Sequence, residues 1–309
     1  MKIFSSINDF KTSGDKKSIV TLGTFDGVHI GHKKIIEKII LNAAIHDCES
    51  LILTFFPHPR MVLQEKSEIR LLNTLDEKIL LLENTGLDNL IIHPFDESFS
   101  RLTAEEFVSE ILVGKLNVHK IIIGHDHRFG RNRTADINDL ILFGVQYGFE
   151  VEQISAQEID AVAVSSTKIR NALNDGNIAL ANQFLGYHYC LNGTVVHGKQ
   201  LGRTIGYPTA NIKIDQDYKL LPKIGVYAVK STIGNQTVFG MMNIGNNPTL
   251  GENSLTIEVH YFDLDIDLYG QTVAIFILFF LRDEQKFGSL DLLKGQLSKD
   301  RQHALSLLK

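Results

Sequence analysis

The chain has 309 residues, 44% of them apolar and 22% charged, with 31 Lys and Arg against 36 Asp and Glu for a net charge of −5. That length suggests about two domains of ordinary globular composition, and the mildly acidic balance excludes a general nucleic-acid binder. The longest apolar run, Val273 to Leu281, is too short to span a bilayer; Met1 to Lys11 lacks a signal-peptide core, and Cys48 and Cys190 alone make no disulfide framework.

In chain order, Ser18 to Gly23 reads as a short apolar strand, and Ile35, Ile36, Ile39, Ile40 and Ala43 follow at helical spacing. Leu51 to Phe56 is strand, Leu75 to Glu83 helix and Leu90 to His93 strand. Thr103 and Glu106 form a capping box that opens another helix. Val118 to Ile123 is strand, Asp136 to Tyr147 helix and Phe149 to Ile154 strand, after which Ser166 caps a helix running to about Leu173. This alternation predicts a parallel sheet covered on both faces, with ligands bound beyond the carboxyl ends of its strands.

After about Leu185 the texture changes to strands punctuated by turns. Val226 to Ile233 and Gln236 to Ile244 flank the hairpin signal Gly234-Asn235. Leu255 to Phe262 and Thr272 to Leu281 are expected to meet across the turn Asp267 to Gln271. The pattern predicts an antiparallel barrel or sandwich, followed by a helix from Leu290 to Leu308. The domains are expected at 1–184 and 185–309, joined compactly through Asn177 to Gly186.

Four motifs of the first half fall at strand ends or helix starts. The first is Gly23-Thr-Phe-Asp-Gly-Val-His-Ile-Gly-His32. A strand-to-helix junction aims free backbone amides and a partial positive charge at whatever binds there. Gly23 and Gly27 permit a tight turn and close approach to a ligand. His29 and His32, three apart, can face one side of a first helical turn and donate hydrogen bonds to phosphates, where charge grows as pyrophosphate leaves. The pair alone lacks the further ligands a metal needs. In Phe56-Pro-His-Pro59, prolines stiffen the loop and His58 can touch a phosphate or a flavin edge, or stand as an exposed turn residue. In Gly124-His-Asp-His-Arg-Phe-Gly130, Asp126 can accept from a ribose or adenine and Arg128 can pair with phosphate, or the two form a loop salt bridge. Ser165-Ser-Thr-Lys-Ile-Arg170 offers hydroxyls, amides and two cations as a second phosphate cradle.

In the second half, Gly193 to Lys199 nearly fits a P-loop, but Gln200 replaces the required Ser or Thr. The run Leu201-Gly-Arg-Thr-Ile-Gly-Tyr-Pro-Thr-Ala-Asn211 is more informative. Its glycines at 202 and 206 allow close approach of phosphate, and Thr209 and Asn211 offer neutral oxygens to a magnesium ion held by ATP. Strand alternation puts Thr256, Glu258 and His260 on one face, where Glu258 can accept a proton from a substrate hydroxyl. Alone, Glu258 reads as part of a solvated strand face.

His-Ile-Gly-His resembles the signature of the nucleotidylyltransferase superfamily, shared with class I aminoacyl-tRNA synthetases. The motifs together, across nearly the whole chain, resemble the bacterial bifunctional riboflavin kinase/FAD synthetase family. The second half adds His197-Gly198, Gly225-Val-Tyr227, Asn243 to Thr249, Asp267 to Gly270 and Leu281 to Phe287 to the resemblance. His127 departs from it, because the family usually has Phe there.

The resemblance implies a Rossmann-like α/β nucleotidylyltransferase domain with a parallel sheet, followed by an antiparallel β-barrel riboflavin kinase domain with a C-terminal helix. It implies phosphorylation of riboflavin by ATP to FMN, then adenylylation of FMN by ATP to FAD and pyrophosphate, with magnesium as cofactor, small-molecule substrates as partners, and neither nucleic acid nor membrane. Glu258 would be the kinase base, with Thr209 and Asn211 holding magnesium and phosphate beside Gly198, Gly202 and Arg203, and Arg282 near the flavin. In the adenylyltransferase, Gly23, Phe25, Asp26, His29, His32, Asp126, Ser165, Thr167 and Arg170 would bind ATP, while Pro57, His58 and Arg128 would meet flavin and phosphate. A cytoplasmic enzyme is expected. Two rivals stand beside it: a class I aminoacyl-tRNA synthetase fragment, opposed by the acidic charge, and a non-catalytic flavin- or nucleotide-binding regulator, opposed by the intact site residues.

Overall fold

A computed structural model describes residues 1–64, 69–124, 128–154, 164–198, 201–246 and 255–308. They fall into two compact units, Met1–Ser166 and Thr167–Lys309.

The first unit is built on six parallel strands: β1 (Lys2–Phe4), β2 (Ser18–Leu22), β3 (Glu49–Phe55), β4 (Asn89–His93), β5 (Val118–Gly124) and β6 (Glu150–Ile154). Their order in the sheet is β1-β4-β3-β2-β5-β6. The chain winds outward from β2 in both directions, so the order reverses between β2 and β5. Crevices at such reversals are where open parallel sheets bind ligands. Side chains alternate between two cores. Val20, Leu22, Leu51, Leu53, Ile121 and Ile123 pack on one face with Phe107, Leu112 and Leu140. Ile19, Ile52, Leu90 and Ile122 pack on the other with Ile36 and Ile39. The sheet is therefore covered on both faces, as the continuous apolar runs required.

The helices of this unit are α1 (Ile30–Ile45), α2 (Pro59–Leu63), α3 (Leu75–Glu83), α4 (Glu97–Ser100), α5 (Ala104–Glu106) and α6 (Ile137–Tyr147). The capping box Thr103–Glu106 is present, but α5 widens at once into a π-helical stretch, Phe107–Val113. β1 escapes sequence reading because it has only three residues and a mostly exposed pattern, yet it pairs with β4.

The second unit opens with α7 (Ser166–Asn174, whose first residue closes the first unit) and α8 (Ile178–Leu185). Ser166 is the first residue of α7 rather than the cap before it, and its hydroxyl donates to the Asp26 carbonyl at 2.8 Å. Lys223 N donates to Leu173 O and Asn182 Nδ2 to Ile277 O, each at 3.0 Å, which ties both helices to the strands that follow.

Those strands are β7 (Cys190–Val196), β8 (Ala210–Lys213), β9 (Gly225–Ile233), β10 (Gln236–Asn246), β11 (Leu255–Tyr261) and β12 (Thr272–Arg282), with α9 (Leu201–Thr204) between β7 and β8 and α10 (Leu290–Leu307) last. They close a barrel in the order β10-β11-β8-β7-β12-β9, deciding between barrel and sandwich. Tyr227, Val229, Leu191, Met242, Ile244, Val259, Ile275 and Ile277 are wholly buried. The hairpin at Gly234-Asn235 forms as expected. The expected meeting of Leu255–Phe262 with Thr272–Leu281 does not occur. β11 pairs with β10 and β8, and β12 with β7 and β9. The turn before β12 is taken up by β7, where Val195 exchanges hydrogen bonds with Gly270 and Gln271 at 2.9 Å. Closure of the barrel inserts β8 and β7 between two strands adjacent in sequence.

Candidate active sites

In the first unit β2 delivers the chain into the loop Gly23–Val28, and His29 caps α1. The His29 Nδ1 accepts from the His32 backbone N–H at 3.3 Å. That bond leaves the proton of a neutral His29 on Nε2. The two imidazoles stack with centroids 3.6 Å apart and 16° between planes. The spacing of three residues thus does what helix geometry predicts. The buried Phe25 ring lies 4.9 Å from His32. Phe25 (φ +46°) and Val28 (φ +34°) both hold left-handed backbone, unfavourable for side chains of this bulk. Surrounding structure has to enforce it.

Burial lowers the His29 pKa to about 4. It takes His32 well below the usual histidine range, and the charges of His29 and Lys78 add to the effect. The His32 Nδ1 is buried and has no hydrogen-bond partner. Both rings are therefore held neutral near pH 7, each keeping one ring N–H.

Asp26 is buried, and its Oδ1 accepts from the backbone of Leu72 at 2.9 Å and Asn73 at 3.4 Å. Its carboxylate ties the loop to the segment before α3. Lys78, only 4% exposed, donates its ammonium to the Thr24 carbonyl at 2.7 Å, and Thr54 Oγ1 donates to the same oxygen at 3.2 Å. Sequence reading missed Lys78. The available signal was its place in the stripe Leu75, Lys78, Ile79 and Leu82, at helical positions otherwise apolar.

The Phe56-Pro57 peptide is cis, and His58 caps α2 through Nδ1, which accepts from Arg60 N at 3.1 Å. Arg128 is exposed, Ser165 is half-buried, and Asp126 and His127 lie outside the described residues. Thr167 and Arg170 sit at the start of α7 in the second unit, Thr167 exposed and Arg170 half-buried.

In the barrel, Thr209 Oγ1 donates to Glu258 Oε2 at 3.3 Å. Asn211 on β8 and Asn243 on β10 both stand opposite Glu258 in register. Thr256, Glu258 and His260 share the half-buried face of β11, with Ile257 and Val259 inside. His260 Nδ1 lies 2.8 Å from the Pro208 carbonyl, pinning the residue before Thr209. A Cβ at Gly198 would stand 2.1 Å from Asn211 Nδ2, so glycine there makes room for the amide. At Gly202 a Cβ would stand 2.2 Å from the Tyr207 carbonyl. A cavity of about 440 Å³ adjoins this group, lined by Arg203, Thr209, Tyr261, Asp267 and Tyr269 among others. Lys199 and Gln200, and residues 247–249 of the Asn243–Thr249 motif, lie outside the described residues.

Among the described residues no cluster of His, Cys, Asp and Glu could by itself hold a metal. The Thr209, Asn211 and Glu258 oxygens, with the space Gly198 leaves, fit a hard cation that takes most of its ligands from phosphates and water. Arg282 is tied to α10. Its Nε and Nη2 bind the buried Asp300 carboxylate of α10 at 2.7–3.1 Å, and Nη1 donates to the Asp283 carbonyl at 2.9 Å.

Comparisons agree with this division. A family model described as FAD synthetase matches residues 11–168, and one described as riboflavin kinase matches 185–308. The chain is 36% identical over 302 residues to the bifunctional riboflavin kinase/FMN adenylyltransferase of Escherichia coli, covering 97% of this chain and 96% of that one. It is 38% identical over 290 residues to the Listeria monocytogenes protein of the same name, covering 93% and 91%. A crystal structure described as the macrolide-efflux protein of Streptococcus pneumoniae superposes with a TM-score of 0.87 at 32% identity, covering 97% of both chains. Among the described residues of the present chain, no helix is long and apolar enough to cross a membrane.

Proposed function

The chain belongs to the bifunctional riboflavin kinase/FMN adenylyltransferase family, and from that premise we propose which residues carry its two reactions. It phosphorylates riboflavin with ATP to FMN, and adenylylates FMN with ATP to FAD and pyrophosphate. We assign the modules to 1–184 and 185–309 and place both reactions in the cytoplasm.

In the kinase step the Glu258 carboxylate accepts the proton of the riboflavin 5′-hydroxyl as that oxygen attacks the γ-phosphate and ADP departs. The Thr209 hydroxyl orients the carboxylate from 3.3 Å. Thr209 and Asn211 would also hold magnesium and the ATP phosphates, with Gly198, Gly202 and Arg203 around them. Magnesium supplies neutralisation of phosphate charge. Arg282 shapes the flavin end of the site through its anchor to α10.

In the adenylylation step a phosphate oxygen of FMN attacks the α-phosphate of ATP, and pyrophosphate leaves with the electron pair. Each group starts and ends anionic, so no protein base is required; position and charge stabilisation suffice. Gly23, Phe25 and the Asp26-anchored loop shape the ATP site, where His29 and His32 donate to the growing charge. Asp126, Ser165, Thr167 and Arg170 extend the ATP contacts, and Pro57, His58 and Arg128 face the flavin phosphate.

The observation that carries the assignment is the pair of different chemistries: a half-buried carboxylate bound to Thr209 in one unit, a stacked neutral imidazole pair in the other. The test is incubation with riboflavin, ATP and magnesium, with the flavins resolved over time. FMN first and FAD later is expected. Absence of new flavin from folded protein, with oxidised or reduced substrate, overturns the reading.

A further inference from the structure

Lys78 is the one side chain of α3's apolar stripe that carries a charge. Burial pulls its pKa down, and Asp26 pulls the other way. An ammonium costs several kcal/mol to bury, and one hydrogen bond to a neutral carbonyl does not restore that. A methionine would fill the same space without the penalty. The stripe faces the phosphate-side loop, whose Thr24 carbonyl is the hydrogen-bond acceptor of the ammonium. The same loop carries the left-handed Phe25 and Val28, which need external anchors.

We propose that Lys78 is a positioning residue of adenylylation: it pins the Thr24 carbonyl and sets a fixed positive charge beneath the loop that presents His29 and His32. The inference rests on the assignment of that loop to adenylylation. The pinned carbonyl fixes the turn that leads into α1. The charge favours the incoming phosphates. It also disfavours protonation of His32, which faces His29 from its own helix start and Lys78 from α3, while Asp26 faces Lys78 from the loop.

The test uses the full chain with Lys78→Met and Lys78→Arg, measuring kcat and KM for FAD formation from added FMN across pH. Kinase activity in the same molecules reports whether the chain is intact, and thermal unfolding reports the first unit. The methionine variant is expected to lose roughly 10–100-fold in kcat, with smaller change in KM. The acidic limb of its pH profile should move to higher pH, because His32 no longer feels the ammonium. Arginine should recover part of the rate and return the limb towards wild type. Wild-type kcat with an unmoved acidic limb overturns the proposal, even if the melting temperature falls, since that marks a packing role alone. If the methionine variant does not fold, Lys78→Gln is read by the same two criteria. His32→Ala is measured alongside. Unchanged FAD formation there overturns the site assignment itself, whereas a slow His32→Ala with a normal Lys78→Met overturns only the role of Lys78.

Discussion

Both units handle ATP, yet they are equipped differently. The barrel places a carboxylate on a strand and surrounds it with hydroxyl and amide side chains fixed by register. The parallel-sheet unit places a bent loop and two uncharged imidazoles at the start of a helix. The contrast follows from what moves. Phosphorylation of a hydroxyl releases a proton, and the base role proposed for Glu258 accounts for it. Attack by one phosphate on another releases none, and the role proposed for the imidazoles is donation to charge already present.

The sharpest way to break the comparison is Glu258→Gln. It should slow FMN formation by roughly 10²–10⁴ while leaving FAD formation from added FMN intact; loss of both rates in a kinetic assay would show that the chemistries are not separate. His32→Ala should do the reverse, costing FAD formation roughly 10²–10³ and sparing the kinase, as removal of one preorganised donor does elsewhere. Gly198→Ala sharpens the barrel side. Its Cβ would stand 2.1 Å from Asn211 Nδ2, so the amide has to move by more than an ångström, and kinase kcat should fall by roughly 10²-fold with the melting temperature little changed.

The smallest effect is on stability. His29 titrates at about 4 when folded against an ordinary value of 6.5, so between those values the unfolded chain binds more protons. Stability from this residue is therefore complete above pH 6.5 and declines as pH falls towards 4. The loss is about 2 kcal/mol between pH 7 and pH 5. His29→Asn keeps a side chain able to cap α1 and should remove that part of the difference in chemical denaturation at the two pH values.

Much of this was legible in the sequence because it depends on short-range geometry. The His29–His32 stack follows from residues three apart at a helix start, and the shared face of Thr256, Glu258 and His260 follows from strand alternation. Long-range pairing was not legible. That two strands separate β11 from β12 depends on closure of the barrel, which no local pattern encodes. The anchoring of the Asp26 carboxylate was not legible either, because nothing nearby in sequence reveals that Leu72 and Asn73 present their amides to it. The pairing of Arg282 was likewise not legible, because its partner Asp300 lies eighteen residues on in α10. Lys78 was not legible because a single cation in an apolar stripe resembles ordinary surface patterning.

The closed barrel has one more consequence. Every strand in it has two bonded neighbours, so β11, which carries Glu258, has no side from which it can be peeled. The open sheet ends on β1 and β6, and each can detach without disturbing the other strands. Amide hydrogens of β11 should therefore exchange with solvent only when the whole barrel opens, whereas those of β6 exchange through local fraying. Within the sheet the rim strands fray first, and within the barrel the strand that bears Glu258 holds until the barrel itself gives way.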